Sequence, residues 1–332
     1  MDGAGAQAGG LGFKTVLRRE AWRMSNFEHK PVMLQEVLAA MRPRAGGRYV
    51  DGCIGGAGHA AALLAGSGGT GWLYGFDRDG AALEAAAARL AEFAGRFELR
   101  RANFAEMGEW IEPGSCDGVL LDLGVSSPQL DRAERGFSFM QDGPLDMRMD
   151  DRQQRTAADL VNTAPVEELA RIFWEYGGER ESRRMARAIA KDRQARAFAT
   201  TRQLAGMIER ISPRAGRKSH PATRLFQALR IAVNDELESL RRGLAAAVGV
   251  LRPGGRLSVI TFHSLEDRMV KEFGRERSRG YEFPGDVDVP ELRREVPPTL
   301  RWVERKGVRP GAAELEDNSR SRSAQLRILE KI

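Results

Sequence analysis

The amino-acid sequence predicts an α/β fold: a mostly parallel sheet with helices on both faces, an antiparallel closing pair of strands and an inserted all-helical region. Three observations lead to this prediction. Short apolar runs alternate with helical stretches up to Asp122, helical periodicity replaces strand signals after Asp150, and strand signals return from Leu257. A sheet that is interrupted once by a helical insert accounts for all three regions.

The first half of the sheet is predicted from four short apolar runs. These runs cover residues 49–50, 73–76, 97–99 and 119–121, and an Ala-rich helical run covers 81–93. Strands that alternate with helices pair in parallel through right-handed crossovers. Such sheets bind ligands at the carboxyl ends of their strands, so we expect the functional site there.

The insert and the closing strands are predicted from the same kinds of sequence pattern. Thr200-Thr201-Arg202-Gln203 resembles a helix capping box, and an apolar helical period follows it. A second period from Leu225 to Leu244 predicts one long helix that Pro253-Gly254-Gly255 ends. Residues 257–262 then predict a fifth strand, and residues 300–303 and 325–329 predict the closing pair.

Length and composition indicate an intracellular protein. The 332 residues exceed the usual size of a single domain. The two cysteines, Cys53 and Cys116, lie in or beside predicted core strands, and this placement favours reduced thiols and the cytoplasm. No apolar run approaches the roughly 20 residues of a membrane span. Residues 1–28 resemble neither a signal peptide nor a folded segment, so we expect a disordered leader.

A glycine-rich segment follows the first predicted strand. Residues 51–59 read Asp-Gly-Cys-Ile-Gly-Gly-Ala-Gly-His. Glycines allow a tight turn and a close backbone approach to a ligand, which is typical of a nucleotide-binding loop, although a flexible surface turn is the alternative. The segment lacks both the Gly-Lys-Ser/Thr of a phosphate-binding loop and the strict spacing of a dinucleotide fingerprint.

Asp77 ends the second predicted strand about 20 residues after this loop, where a carboxylate accepts hydrogen bonds from ribose hydroxyls. A solvated aspartate in a turn is the alternative.

Two cofactors, a nicotinamide dinucleotide and S-adenosylmethionine, are compatible with such a site. The acids Asp51 and Asp122 favour S-adenosylmethionine, because its sulfonium is a cation. Ser127-Pro128, after the fourth strand, also resembles the Ser-Pro-Pro-Tyr motif of methyltransferases that act on the amine of cytosine.

Six motifs carry a closer resemblance. They are residues 51–59, 122–129, 134–140, 143–149, 220–224 and 262–268. In this order, from His29 to the C-terminus, the chain resembles the ribosomal RNA small subunit methyltransferase H family. It departs from the family pattern at Cys53-Ile54 and Gly56-Ala57 and in the segment before His29.

The resemblance implies a Rossmann-like class I methyltransferase sheet, transfer of methyl from S-adenosylmethionine to the 4-amino nitrogen of a cytidine in the decoding region of 16S rRNA, and a possible homodimer. The cofactor contacts that it implies are Ala57, Gly58, His59, Asp77, Phe104, Asp122 and Gln129. The substrate is either free 16S rRNA or the assembled small ribosomal subunit.

A cytosine amine is a poor nucleophile, because its lone pair is delocalised into the ring. We expect Asp122 and the backbone carbonyls around Ser126 and Ser127 to accept hydrogen bonds from its N–H groups. The predicted catalytic positions are Asp122, Ser127 and Pro128. No metal is expected, since the four histidines and two cysteines show no ligand spacing. His263 is either part of the site or a helix-entry residue. Phe137 and Phe139 either stack on a flipped base or belong to the core.

The helical insert is strongly basic. Residues 179–230 hold 14 Lys and Arg against 4 Asp and Glu, whereas the whole chain carries a net charge of +6. The basic residues include Arg183, Arg184, Arg187, Lys191, Arg214, Arg217 and Lys218. We expect them to bind RNA phosphates, a solvated helix face being the alternative. The predicted domains are thus a methyltransferase domain of 29–135 with 238–332 and a substrate-recognition insert of 136–237.

Two other functions compete with the methyltransferase. A nicotinamide-dependent oxidoreductase would need the dinucleotide fingerprint that the glycine loop lacks. A non-catalytic RNA-binding protein would explain the basic helices, but it would leave the glycine loop, Asp77 and Asp122 without a role.

Overall fold

The computed structural model describes residues 31–213, 220–285 and 287–332. The leader predicted over 1–28 and the basic residues Arg214, Arg217 and Lys218 lie outside the described residues. Across the described part, no helix is both long enough and apolar enough to cross a membrane.

The strands are β1 (Arg48–Asp51), β2 (Trp72–Asp77), β3 (Phe97–Arg101), β4 (Cys116–Asp122), β5 (Leu251–Thr261), β6 (Tyr281–Glu282), β7 (Arg294–Glu295), β8 (Leu300–Val308) and β9 (Gln325–Lys331). The helices are α1 (Leu34–Met41), α2 (Gly58–Gly66), α3 (Gly80–Arg89), α4 (Ser127–Asp131), α5 (Ala157–Thr163), α6 (Val166–Glu175), α7 (Ser182–Ala195), α8 (Thr201–Ile211), α9 (Ala222–Asn234), α10 (Glu236–Val250), α11 (Ser264–Ser278) and α12 (Ala312–Asp317).

Seven strands form one sheet in the order β3-β2-β1-β4-β5-β9-β8. The five strands from β3 to β5 are parallel, and β9 runs antiparallel to both β5 and β8. The predicted α/β fold, its parallel sheet and its antiparallel closing pair are therefore confirmed, with the closing strands longer than predicted. The crossovers bring the carboxyl ends of β1, β2, β4 and β5 to one edge of the sheet.

Apolar side chains cover both faces of the sheet. Val50, Val119 and Val259 point into the cluster that packs against α10 and α11, whereas Tyr49 and Leu120 point into the cluster under α1 and α2. The alternation follows from the two-residue period of a strand. A third cluster lies wholly between Phe137 and Val233, so the helices of the insert have a core of their own.

The prediction of one long helix over 225–244 was wrong. Two helices, α9 and α10, meet at Asp235, whose φ of 50° is left-handed and cannot continue a helix. The Asn234 side chain donates to the Met147 and Arg230 carbonyls and accepts from the Met149 amide, which fixes the chain where it turns. Helix α10 ends at Val250, and residues 253–255 lie inside β5 instead of ending the helix.

Candidate active site

Three aspartates end three adjacent parallel strands. Asp51 ends β1, Asp77 ends β2 and Asp122 ends β4, and the register places them at the same edge of the sheet. Asp51 is 1% exposed, and burial raises its pKa to about 7, with the neighbouring Asp77 charge acting in the same direction. The edge is therefore a buried acidic site that a cation would stabilise.

The glycine loop turns tightly between β1 and α2. Gly55 has a φ of 48°, and Ala57, the N-cap residue just before α2, has a φ of 57°. A Cβ on Gly58 would lie 2.3 Å from Cγ of Pro31, whereas a Cβ on Gly56 would meet no atom within 4 Å. The loop is thus closely packed on one side and open at Gly56, which leaves its backbone accessible to a ligand.

Asp77 holds this loop in place. Its Oδ2 accepts the Gly55 amide at 3.0 Å, and its Oδ1 accepts the Asp79 amide at 2.9 Å. Burial raises the pKa of Asp77 to about 6, although these two amides lower it. The loop and the acid that were singled out in the sequence therefore lie in direct contact, and Asp77 is not a solvated turn residue.

Asp122 faces the same space with one oxygen unpaired. Among the described residues, its buried Oδ1 has no hydrogen-bond partner, and its Oδ2 lies 3.6 Å from Nδ1 of His59. Burial, followed by the charges of Asp51 and Glu266, raises the pKa of Asp122 well above its usual range. A buried carboxylate oxygen without a partner is costly, so the position is suited to a ligand that donates a hydrogen bond.

His59 lies in the first turn of α2 and is 5% exposed. Its Nε2 lies 2.9 Å from the carbonyl oxygen of Val32, and because a carbonyl only accepts, Nε2 carries a proton. Nδ1 therefore faces Asp122 with a lone pair unless the ring is cationic. Nδ1 lies 3.6 Å from Oδ2 of Asp122, which makes the two groups neighbours without a direct hydrogen bond.

The segment after β4 forms the short helix α4. Ser126 and Gln129 form its capping box, in which Oε1 of Gln129 accepts the Ser126 amide at 3.0 Å. The Gln129 Nε2 donates to Oδ2 of Asp79 at 3.0 Å, and Arg135 donates to the same oxygen at 2.6 Å. Both ends of the Gln129 amide thus have protein partners, and Asp79 joins the turn after β2 to the segment that leads into the insert.

Ser127 and Pro128 occupy the first two positions of α4. Ser127 is buried at 9% exposure, whereas Pro128 is exposed. Gly124, with a φ of 92°, allows the chain to leave β4 and reach this helix. The structure therefore places Ser127 and Pro128 one short loop away from the Asp122 carboxylate.

Phe104 follows β3 at the start of a short 3-10 helix. Its ring lies against the backbone of α10, where a Cβ on Gly243 would lie 2.2 Å from Cε2. A Cβ on Gly52 would lie 3.0 Å from the Phe104 Cβ. Phe104 therefore lies beside the end of β1, next to the glycine loop.

His263 has the surroundings of a helix-entry residue, which is the second of the two alternatives predicted from the sequence. It is the first residue of a capping box with Glu266, whose amide donates to the His263 Nδ1 at 3.4 Å. Glu266 is 2% exposed and accepts the Phe262 amide at 2.8 Å. Burial favours a higher pKa, but His263, Arg230 and the Phe262 amide together hold the pKa of Glu266 below its usual range.

Glu266 belongs to a buried charged group that the sequence did not reveal. Glu236, His263 and Glu266 each place one potential metal-ligand atom within 4.8 Å of the others. Arg230 donates to both carboxylate oxygens of Glu236 at 2.8 Å. This guanidinium already neutralises one of the two acids, so the arrangement is that of an internal ion-pair network at the start of α10 and α11.

The two phenylalanines of the 134–140 motif have different surroundings. Phe137 is 7% exposed and belongs to the core of the insert. Phe139 is partly buried, with its ring centroid 4.9 Å from that of Phe226 and 4.5 Å from that of His220. Phe137 is thus a core residue of the insert, whereas Phe139 lies at the edge of that core.

The basic residues of the insert are only partly paired. Arg184 forms an ion pair with Glu181, and Arg193 donates to the Val161 and Ala164 carbonyls. The exposed residues at intervals of four along α7 are Arg183, Arg187 and Lys191. They project from one face of the helix, which forms a cationic stripe.

The chain is similar over most of its length to one family of methylases. The model of the MraW methylase family matches residues 26–332. The chain is 50% identical over 314 residues to ribosomal RNA small subunit methyltransferase H of Citrifermentans bemidjiense, which covers 93% of this chain and 100% of that one. The protein of the same name from Geobacter sulfurreducens is 52% identical over 311 residues, 92% of this chain and 99% of that one. The chain therefore belongs to the MraW methylase family.

Proposed function

We propose that this chain transfers a methyl group from S-adenosylmethionine to the 4-amino nitrogen of a cytidine in the decoding region of 16S rRNA. Membership of the MraW methylase family and the printed names of the relatives support the reaction and its RNA. The single observation in the site that carries the proposal is the buried, unpaired Oδ1 of Asp122 at the carboxyl edge of the sheet.

The residues at this edge fit S-adenosylmethionine. Asp77 would accept its ribose hydroxyls, and the backbone around Gly56, Ala57 and Gly58 is open or tightly turned as a bound nucleoside requires. The acids Asp51, Asp77 and Asp122 suit its cationic sulfonium. When it is bound, S-adenosylmethionine supplies an electrophilic methyl group. His59, Phe104 and Gln129 complete the proposed cofactor contacts.

The chain's own residues make the amine reactive. Oδ1 of Asp122 accepts one amine N–H, which draws the nitrogen lone pair out of the ring and toward the methyl carbon. The positive charge of bound S-adenosylmethionine would lower the pKa of Asp122 again. The carboxylate is therefore ionised when the cofactor and the cytidine are both bound. Asp122 then holds the proton that the amine loses, with the His59 ring as its neighbour 3.6 Å away. The backbone of Ser127 and Pro128 positions the base.

We assign RNA contact to the insert, residues 136–237, and cofactor binding to residues 29–135 with 238–332. The cationic stripe of Arg183, Arg187 and Lys191 supports the first assignment, since clustered cations bind phosphates. We also propose that the protein acts in the cytoplasm on the small ribosomal subunit or its free RNA and can form a homodimer.

Binding of the cofactor is expected to depend on pH. In the ligand-free protein, Asp51 and Asp77 have pKa values raised to about 7 and about 6, so both are partly protonated near pH 6. A cationic ligand favours their ionised forms, so binding releases protons and the affinity rises with pH. We expect the Kd to fall about tenfold between pH 6 and pH 8, measured by calorimetry in buffers of different ionisation enthalpy. An affinity that falls with rising pH would contradict this account.

Methyl transfer to isolated ribosomal subunits tests the proposed function. Small subunits from cells that lack this protein, large subunits, and free 16S rRNA are each incubated with the protein and labelled S-adenosylmethionine. We expect label in 16S rRNA and none in the large subunit. Comparison of free 16S rRNA with the assembled subunit identifies the true substrate. Label in neither small-subunit preparation, from a protein that binds S-adenosylmethionine, would overturn the proposal.

A further inference from the structure

A basic groove lies on the opposite side of β5 from the glycine loop. A cavity of about 760 Å³ opens between α11 and the outer strands β8 and β9. Its described lining has no Asp or Glu, and six of its residues are cations: Lys271, Arg275, Arg305, Lys306, Arg309 and Arg327. Neither the glycine loop nor the basic insert contributes to it.

Four of the six cations are not neutralised. Asp267 pairs with Arg327 at 2.8 Å and with Lys271 at 3.5 Å. Among the described residues, the other four, Arg275, Arg305, Lys306 and Arg309, have no carboxylate within 4.0 Å, and all four are exposed. Four uncompensated charges that converge on one concave surface produce a field that attracts a polyanion.

The groove begins at the same edge of the sheet as the acidic site. Gln325, in its lining, pairs with Thr261 at the carboxyl end of β5, and Val308 pairs with Leu326 beside it. From β4 to β8 the sheet crosses three strand spacings, about 14 Å in all. An RNA strand whose target base lies at Asp122 can therefore extend its backbone along this edge into the groove.

We propose that this groove binds the phosphate backbone of RNA next to the target nucleotide, as a second contact surface separate from the helical insert. The inference rests on the proposed function for the identity of the polyanion. Arg305 and Lys306 make the sharpest test, because they are adjacent, exposed and unpaired within the described part of the chain.

The test compares two double variants of the full chain. Arg305→Gln with Lys306→Gln removes two charges from the groove. Arg42→Gln with Arg48→Gln removes two exposed charges near the opposite edge of the sheet, where β1 begins. Binding to small subunits from cells that lack this protein is measured over a range of KCl concentrations, together with kcat, KM and the Kd for S-adenosylmethionine.

The groove variant is expected to bind subunits about fivefold more weakly, and the slope of log K against log salt is expected to fall by about 1.5. Its KM rises while kcat and the cofactor Kd stay unchanged. The control variant stays within about twofold of the original protein. Equal losses in both variants, or no loss in the groove variant, would overturn the proposal.

The two proposals fail in different ways. If the original protein methylates small subunits and the groove variant has the same KM and salt slope, the groove is not a contact surface and the proposed function stands. If the original protein transfers no methyl but the groove variant still loses affinity and slope, the groove is an RNA surface and the proposed reaction is wrong.

Discussion

Replacement of Asp122 by Asn is expected to lower kcat for methyl transfer by at least about a hundredfold. The amide keeps the size of the carboxylate but loses its negative charge and its capacity to hold the proton from the amine. Its Oδ1 position is buried and unpaired among the described residues, so little in the fold depends on it. Single-turnover transfer to small subunits measures the effect.

Asp131→Asn is the matched control for this variant. Asp131 ends α4 and pairs with Arg320 at the surface, with 36% of its side chain exposed. It is also an aspartate and lies shortly after Asp122 in the chain, but it is outside the proposed site, so we expect kcat within about twofold of the original. Retention of S-adenosylmethionine binding by Asp122→Asn would separate loss of chemistry from loss of the cofactor. Full activity of Asp122→Asn would show that the proposed mechanism is wrong.

Replacement of Gly136 by Ala is expected to destabilise the fold by about 3 kcal/mol. Gly136 has a φ of 71°, and a Cβ there would lie 2.1 Å from the Pro144 carbonyl oxygen and 2.7 Å from the Asp146 amide nitrogen. Both neighbours are backbone atoms, so the segment that enters the insert must shift. The preceding residue, Arg135, donates to Asp79 and to the Arg148 carbonyl, and this shift would also disturb those bonds.

Gly95→Ala separates the two causes of this loss. Gly95 has a φ of 79°, but a Cβ there meets no atom within 4 Å. The Gly95→Ala substitution is therefore expected to lower the free energy of unfolding only by the backbone strain, about 1 to 2 kcal/mol. Urea unfolding of both variants gives the difference in the free energy of unfolding. Equal losses would mean that the close approach of Gly136 to Pro144 contributes nothing.

The sequence was most informative where function depends on local order along the chain. The glycine loop, Asp77 and Asp122 were predicted to share one edge because parallel strands all end there, and the register confirms this placement. The capping box at Thr200 was also predicted and is present. In each case, the signal lies within a few residues or in the strand order.

The remaining features depend on contacts that no local pattern encodes. The apolar period runs through Asp235 without a gap, so the left-handed break between α9 and α10 was invisible. Arg230, Glu236 and Glu266 come from different helices, and they meet only when α10 and α11 pack at the edge of the sheet. The basic groove likewise combines residues of α11 with residues of two strands, β8 and β9, that come much later in the chain.

The chemical identity of the modified nucleoside tests the central claim most directly. Small subunits from cells that lack this protein are incubated with the protein and S-adenosylmethionine, and their 16S rRNA is digested to nucleosides for mass spectrometry. The account predicts one new methylated cytidine, with the methyl group on the 4-amino nitrogen, and far less of it after the same short incubation when Asp122→Asn replaces the original protein. A methyl group on the ring carbon, on a ribose hydroxyl or on another base would contradict it.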